Sequence, residues 1–306
     1  MSTIAFQTLP FGTEAAKRLA ARLGLACDEI ALHRFPDGEL RVTVAPAADT
    51  TILYAALDQP NDKLISLLFA AEALRRGGAE RLVLVAPYLC YMRQDIAFHA
   101  GEAISQRAMG SLLATIVDRV VTVDAHLHRT PDIGAVFPGI EAENLSAMPA
   151  IANTLAKAGV DPATIVIGPD AESEPWVRDL AARLGLQHTV ARKVRHGDRS
   201  VEIDFADAAL LAGRPALMVD DIVASGTTLT VAAKTLRAMG ASAVDSVVTH
   251  ALFPPEMIAA FTEAGIRSIR SSDSVPHPTN AIALGDILAA ALGRELNPTL
   301  PPETTT

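Results

Sequence analysis

Leu19-Ala20-Ala21-Arg22-Leu23-Gly24-Leu25 recurs unchanged at Leu180-Ala181-Ala182-Arg183-Leu184-Gly185-Leu186, 161 positions further on. Each copy reads as the end of an amphipathic helix stopped by a glycine just past its last turn. Two further landmarks keep nearly the same spacing. Leu74-Arg75 and Gly78-Ala79 precede the apolar strand Leu82 to Val85, while Leu236-Arg237 and Gly240-Ala241 precede Val244 to Val248, 162 positions on. At that offset the strand Ile52-Leu53-Tyr54-Ala55-Ala56-Leu57-Asp58 falls on Ala216-Leu217-Met218-Val219-Asp220-Asp221, setting Asp58 against Asp220. One heptapeptide of common helix formers could arise by chance, but three landmarks in one register point to an internal duplication.

Around these landmarks strand and helix alternate. Helices are expected over 13–23, 62–76, 173–184 and 228–239, and strands over 82–89 and 244–253. Strands joined through helices imply a mostly parallel sheet with right-handed crossovers. The expected fold is therefore α/β, a tandem duplication of two domains, each a mostly parallel sheet flanked by helices. The first domain spans 1–146 and the second 147–284. A C-terminal helix at 285–296 packs on the first, and 297–306, rich in Pro and Thr, is a flexible tail. The 306 residues suit two domains of about 150 residues each.

Composition bounds the function. Half the residues are hydrophobic and 4% aromatic, as expected where aliphatic helices cover both faces of a parallel sheet. The 35 acidic and 26 basic residues give a net charge of −9, which argues against non-specific nucleic-acid binding. A phosphorylated substrate is still compatible, because a divalent cation can bridge carboxylates and phosphates. Cys27 and Cys90 are the only cysteines, and neither has metal-ligand spacing. They suggest a reducing, cytoplasmic setting, with Cys90 a small buried hydrophobe in its apolar stretch. The N-terminus shows no signal-peptide pattern. No apolar run reaches the ~18–20 residues that span a bilayer, so no membrane association is expected.

The chemistry concentrates after the acidic strand of the second copy. There Asp220 and Asp221 are followed by Ile222-Val223-Ala224-Ser225-Gly226-Thr227-Thr228. Ser225, Gly226, Thr227 and Thr228 put amides and hydroxyls at the head of a helix, where the dipole and unpaired N–H groups favour a dianion. The two carboxylates can accept hydrogen bonds from sugar hydroxyls. Capping of an ordinary helix would account for one hydroxyl but not for two strand carboxylates followed by three. The first copy has Gln59-Pro60-Asn61-Asp62-Lys63-Leu64-Ile65 at the matching place, which cannot form such a cradle. One copy has kept a sugar-phosphate site and the other has diverged.

Val219 to Thr228 resembles the phosphoribosyl-diphosphate-binding signature of type I phosphoribosyltransferases. The wider chain, from Ile4 to Leu296, resembles the ribose-phosphate pyrophosphokinases, which join two phosphoribosyltransferase-like domains in tandem. The resemblance implies Mg²⁺-dependent transfer of the β,γ-diphosphate of ATP to ribose 5-phosphate. It assigns ribose 5-phosphate to Asp220, Asp221, Ala224, Ser225, Gly226, Thr227 and Thr228. ATP falls to Phe35, Asp37 and Glu39 on a hairpin tip that reaches a neighbouring subunit, to Arg93, Gln94 and Asp95 after the strand 82–86, and to His126. Mg²⁺ falls to His126 and Asp170, a sparse set that suits an ion keeping waters and phosphates. Lys193 and Arg195 lie at i and i+2 of an expected strand, flanking a loop His196-Gly197-Asp198-Arg199-Ser200 over the active site. The resemblance makes them the catalytic pair, stabilising charge during transfer. A homo-oligomer, at least a dimer, follows from the hairpin working in trans.

Each assignment has a plainer alternative. Arg93 and Asp95 could form a surface ion pair, and Phe35-Pro36-Asp37-Gly38-Glu39 could be an ordinary turn. His126 could be a packed residue, as His128 and His33 are taken to be, and Lys193 and Arg195 could guard an edge strand. Three positions depart from the family pattern. Ile96 replaces a basic residue, Ala224 a polar one, and Thr227 a second glycine, tolerable only at negative φ. Two rival functions remain at this point. One is a phosphoribosyltransferase that consumes phosphoribosyl diphosphate, and the other is a non-catalytic regulatory homologue that binds nucleotides. The segment Gly101-Glu102-Ala103-Ile104-Ser105 resembles archaeal-type members more than the common bacterial and mammalian ones.

Overall fold

The computed structural model describes residues 3–195, 201–205 and 208–297. The loop His196–Ser200 and the tail from 298 onward lie outside the described residues. The chain divides into two compact units, Met1–Ser146 with Ser274–Pro276 and Leu284–Thr306, and Ala147–Asp273 with His277–Ala283.

The first unit runs β1 (Ile4–Thr8), α1 (Thr13–Arg22), β2 (Asp28–Glu29), a hairpin of β3 (Ala31–Arg34) and β4 (Leu40–Thr43), β5 (Thr50–Tyr54), α2 (Pro60–Arg76), β6 (Arg81–Ala86), α3 (Ser105–Ala114), β7 (Arg119–Val123) and β8 (Glu141–Leu145). The second runs α4 (Met148–Ala158), β9 (Ile165–Gly168), α5 (Glu174–Leu184), β10 (Gln187–Arg195), β11 (Val201–Phe205), α6 (Ala208–Leu211), β12 (Pro215–Val223), α7 (Thr227–Ala238), β13 (Ala243–Ala251), α8 (Met257–Glu263), β14 (Ile266–Ser272) and β15 (Asn280–Ile282). The last helix, α9 (Gly285–Leu296), belongs to the first unit.

The duplication is explicit in the sheets. Their strand orders are β2-β1-β5-β6-β7-β8 and β11-β10-β9-β12-β13-β14-β15, the same order once the outer strand β11 is set aside. Among the described residues of these two sheets every pairing is parallel except β10 with β11. Strands such as β6, buried from Leu82 to Ala86, are apolar on both faces because helices cover both. The repeated heptapeptide builds the same helix end twice. Gly24 and Gly185 take φ of 71° and 67°, and the amides of Leu25 and Leu186 each reach back 2.9 Å to the carbonyls of Ala20 and Ala181.

The register between the copies needs one correction. Tyr54 pairs with Val85, and Val219 pairs with Val247, 162 positions after Val85. The counterparts of Asp220 and Asp221 are thus Ala55 and Ala56, and Asp58 stands three residues past the position matching Asp220. The connection after β5 is two residues shorter than that after Val219, while α2 has 17 residues against 12 in α7. These changes partly cancel, so the helix ends keep the 162 spacing that hid the shift. Asp58 binds instead to Lys63, whose Nζ lies 2.6 Å from its Oδ1 and donates to the Ala56 carbonyl at 3.0 Å.

Candidate functional site

In the second unit the acidic pair lies within β12 rather than at its end, since Ile222 and Val223 still pair with His250 and Ala251. The turn at 224–226 follows, and α7 begins at Thr227, one residue earlier than expected. Gly226 occupies the N-cap with φ 71° and brings no capping side chain; Ser225 Oγ accepts the Thr227 amide at 3.4 Å, which leaves the hydroxyls of Thr227 and Thr228 unexplained by capping. Thr227 is not among the positive-φ residues, so it fits where a second glycine would stand. Ser225 Oγ and Thr227 Oγ1 lie 3.2 Å apart, both on exposed residues at the open N-terminus of α7.

Behind this turn sits concentrated negative charge. Asp221 is 4% exposed, and its Oδ1 accepts the Ile222 amide at 2.8 Å. Burial pushes the Asp220 carboxyl well above its ordinary range, and the charges of Asp221 and Asp170 push it further. Asp170 follows β9, the neighbour of β12, and accepts the Glu172 amide at 3.1 Å. A carboxyl with a raised folded pKa favours the fold below its unfolded pKa, and that support is lost as pH rises through the folded value. Asp220→Asn should therefore melt above the wild type at pH 8, at about 2–4 °C per kcal/mol relieved. The gap should close near pH 4. Equal melting temperatures across pH 4–8 would mean that Asp220 carries no such strain.

Lys193 and Arg195 occupy alternate positions of β10, opposite Ile203 and Val201 of β11. They, Asp170 and residues 220–228 all belong to the second unit; the remaining sequence-expected site residues belong to the first.

In the first unit the loop 87–95 leaves the carboxyl end of β6, and the turn 124–130 that of neighbouring β7, where open α/β sheets bind ligands. Tyr91 has φ 61° and its hydroxyl donates to Asn61 Oδ1. Arg93 is exposed and does not pair with Asp95. Asp95 pairs instead with Arg129, whose Nη1 lies 3.0 Å from Oδ1. Burial pushes the Asp95 carboxyl up, but the Arg129 amide and guanidinium outweigh it and hold it below the usual carboxylate range. Asn144 Oδ1 accepts the Ala125 amide at 2.8 Å and so fixes the turn that carries His126. The His126 and His128 rings stack at 5.9 Å, so His128, expected to be a plain packed or surface residue, stands beside His126. Phe35, Asp37 and Glu39 form the exposed tip of the β3–β4 hairpin, closed by Phe35 N–H to Glu39 O at 2.8 Å. Cys90 is 1% exposed, and burial pushes its thiol up to about 12, so it is an unreactive core residue. No helix among the described residues is long and apolar enough to cross a membrane.

Comparison with known proteins gives concordant matches. Residues 8–116 match the N-terminal domain of ribose phosphate pyrophosphokinase, and residues 143–255 match the phosphoribosyl transferase domain. The chain is 31% identical to the ribose-phosphate pyrophosphokinase of Methanopyrus kandleri, over 92% of this chain and 96% of that one. It is 31% identical to ribose-phosphate pyrophosphokinase 2 of Archaeoglobus fulgidus, over 90% and 94%. Its fold is similar to the crystal structure of phosphoribosylpyrophosphate synthetase from Mycobacterium smegmatis, with TM-score 0.82 at 24% identity, over 96% of this chain and 99% of that one.

Proposed function

The chain belongs to the ribose-phosphate pyrophosphokinase family, and we propose that it transfers the β,γ-diphosphate of Mg-ATP to the 1-hydroxyl of ribose 5-phosphate, giving 5-phosphoribosyl 1-diphosphate and AMP. The observation that carries this reading is the exposed, hydroxyl-rich turn at the head of α7 beside the Asp220–Asp221 pair. The 5-phosphate rests on the amides and hydroxyls of Ala224, Ser225, Gly226, Thr227 and Thr228. Asp220 and Asp221 accept hydrogen bonds from the ribose hydroxyls, so the sugar is gripped at both ends.

ATP binds at Arg93, Gln94 and His126, with Asp95 supporting that segment from behind and Phe35, Asp37 and Glu39 of a neighbouring copy completing the adenine site in a homo-oligomer. Arg93 can stack on a purine or fork onto phosphate oxygens. Mg²⁺ favours oxygen ligands and retains waters, and the Asp170 carboxylate suits it; the family resemblance adds His126. Burial raises the Asp220 carboxyl first, and the added repulsion from Asp221 and Asp170 is of the kind a dication relieves. When bound, the ion neutralises charge on the phosphates. Lys193 and Arg195 stabilise the charge on the β-phosphoryl group as its bond to the α-phosphate oxygen breaks and the ribose 1-oxygen takes its place. Positioning and electrostatics do most of the work in such transfers.

The test is a ³¹P NMR time course of the pure protein with ATP, Mg²⁺ and ribose 5-phosphate. AMP together with phosphoribosyl diphosphate is the expected pair of products. ADP would mean γ-phosphoryl transfer and overturn the mechanism. ATP binding without turnover would transfer the reading to a regulatory homologue.

A further inference from the structure

The two loops of the candidate nucleotide site are laced together by side chains that the proposed mechanism leaves unused. Arg129 grips Asp95 twice: its backbone amide donates to Oδ2 at 3.1 Å, and its Nη1 donates to Oδ1 at 3.0 Å. Only 3% of the Asp95 side chain is exposed, so a desolvated carboxylate depends on Arg129 for its counter-charge. The same guanidinium lies 5.8 Å from the centre of the Phe98 ring, within cation–π reach. A second lace runs through Gln106, 6% exposed, in the first turn of α3. Its amide donates to the Gln94 carbonyl at 3.2 Å, and its Nε2 to the Met92 carbonyl at 3.3 Å. Its Oε1 accepts the Thr130 hydroxyl at 2.8 Å. The segment 92–95 is thereby tied at three residues to the turn after β7.

From this geometry we infer that Arg129 is a positioning residue of the nucleotide site. It holds the 93–95 segment against the turn carrying His126, so that Arg93 and His126 meet ATP as one preset pair. Both Asp95 oxygens face Arg129, so Asp95 supports the site from behind. Arg129 touches no reacting atom. At 47% side-chain exposure it adds little to the core, which separates this role from simple stabilisation. The inference rests on the assignment of Arg93, Gln94 and His126 to ATP.

The experiment uses the full chain as wild type, Arg129→Ala, Arg129→Lys, Asp95→Asn and the Arg129→Ala/Asp95→Asn double variant. It measures KM for each substrate, and also the calorimetric Kd of Mg-ATP without ribose 5-phosphate. Arg129→Ala should raise both the ATP KM and Kd by about tenfold or more, because small misplacements of binding groups are costly. The KM for ribose 5-phosphate should stay within about twofold, its groups lying on the other unit. Asp95→Asn should reproduce the effect, and the double variant should be no worse than the worse single one. Lysine, which keeps the backbone contact and offers an ammonium in place of the single guanidinium contact, should recover part of the loss. Unchanged ATP affinity in Arg129→Ala, or equal losses for both substrates, would overturn the inference. So would additive losses in the double variant, which would place Arg129 on the nucleotide itself. If the wild type binds ATP but makes no phosphoribosyl diphosphate, the proposed reaction fails while the Kd series still decides the role of Arg129. A wild type that binds no ATP overturns both.

Discussion

Gly226→Ala is expected to lower turnover of ribose 5-phosphate by about a hundredfold or more, the scale of loss that misplacing a binding group by an ångström produces. Two independent effects act at this position. Its φ of 71° is left-handed, which costs an L-residue with a side chain about 1–2 kcal/mol. A Cβ built there would also lie 2.4 Å from two carbons of the Phe261 ring, closer than any real contact. Phe261 cannot yield easily, because it is 1% exposed and packed edge-on against Phe253 at 5.0 Å. The backbone must therefore move, and the amides at the head of α7 move with it. Overpacking adds about 1–3 kcal/mol of destabilisation. A Phe261→Ala second change should restore the ribose 5-phosphate KM more than the stability, since it removes the clash but leaves the left-handed strain and a cavity. Steady-state kinetics and thermal melts of the three proteins read these effects. Unaltered kinetics in Gly226→Ala would mean that the sugar phosphate does not depend on this turn.

The duplication could be read in the sequence because it is written in local signals. A glycine that ends a helix, and an apolar run bounded by charge, report on their own few residues whatever the tertiary context. The same locality explains the misplaced register of Asp58. Matching the helix ends at Gly78 and Gly240 carries no information about a connection shortened at one point and a helix lengthened at another. Only the pairing of Tyr54 with Val85 and of Val219 with Val247 locates the shift. The turn after Asp221 was legible for a similar reason, as strand, acidic pair, hydroxyls and helix follow one another within ten residues.

The supports of the candidate site were not legible, because each joins residues far apart in the chain. Arg129 and Asp95 are separated by 34 positions, and Phe261 stands 35 beyond the glycine it confines. Nothing in the composition around Arg129 distinguishes it from a solvated surface arginine. The choice of Asp95 as its partner arises because β6 and β7 are neighbours in the sheet, which turns two sequence-distant loops toward one another. The plainer alternative of an Arg93–Asp95 pair is ruled out by that same packing, which leaves Arg93 exposed. Thr227, by contrast, was a departure whose tolerance could be stated in advance as a condition on φ, and the backbone meets it.

Removing one carboxylate near the end of the chain should be the largest single blow to stability. Glu295→Ala is expected to cost about 3–5 kcal/mol, a large part of a total of about 5–15 kcal/mol. Arg119, at the start of β7, has no exposed surface, and its Nη1 donates to Glu295 Oε1 at 2.8 Å. Its Nη2 reaches the Ala291 carbonyl at 2.9 Å and also Glu143, whereas its Nε has no partner among the described residues. Arg81 binds both oxygens of Glu295, at 2.8 and 3.0 Å. The carboxylate thus compensates a buried arginine and fastens α9 to the strand edges of the first unit. Burial pushes the Glu295 carboxyl up, but Arg81 and Arg119 outweigh it and hold the group below its ordinary 4.5. A lowered folded pKa means stability that is fully present above the unfolded value and lost as pH falls through the folded one. The gap between wild type and Glu295→Ala should therefore be full at pH 7 and narrow progressively below about 4.5. Urea unfolding at several pH values measures it. A gap that persisted unchanged in acid would assign the effect to packing of α9 rather than to charge. No gap at pH 7 would mean that Glu143 and the Ala291 carbonyl suffice for Arg119.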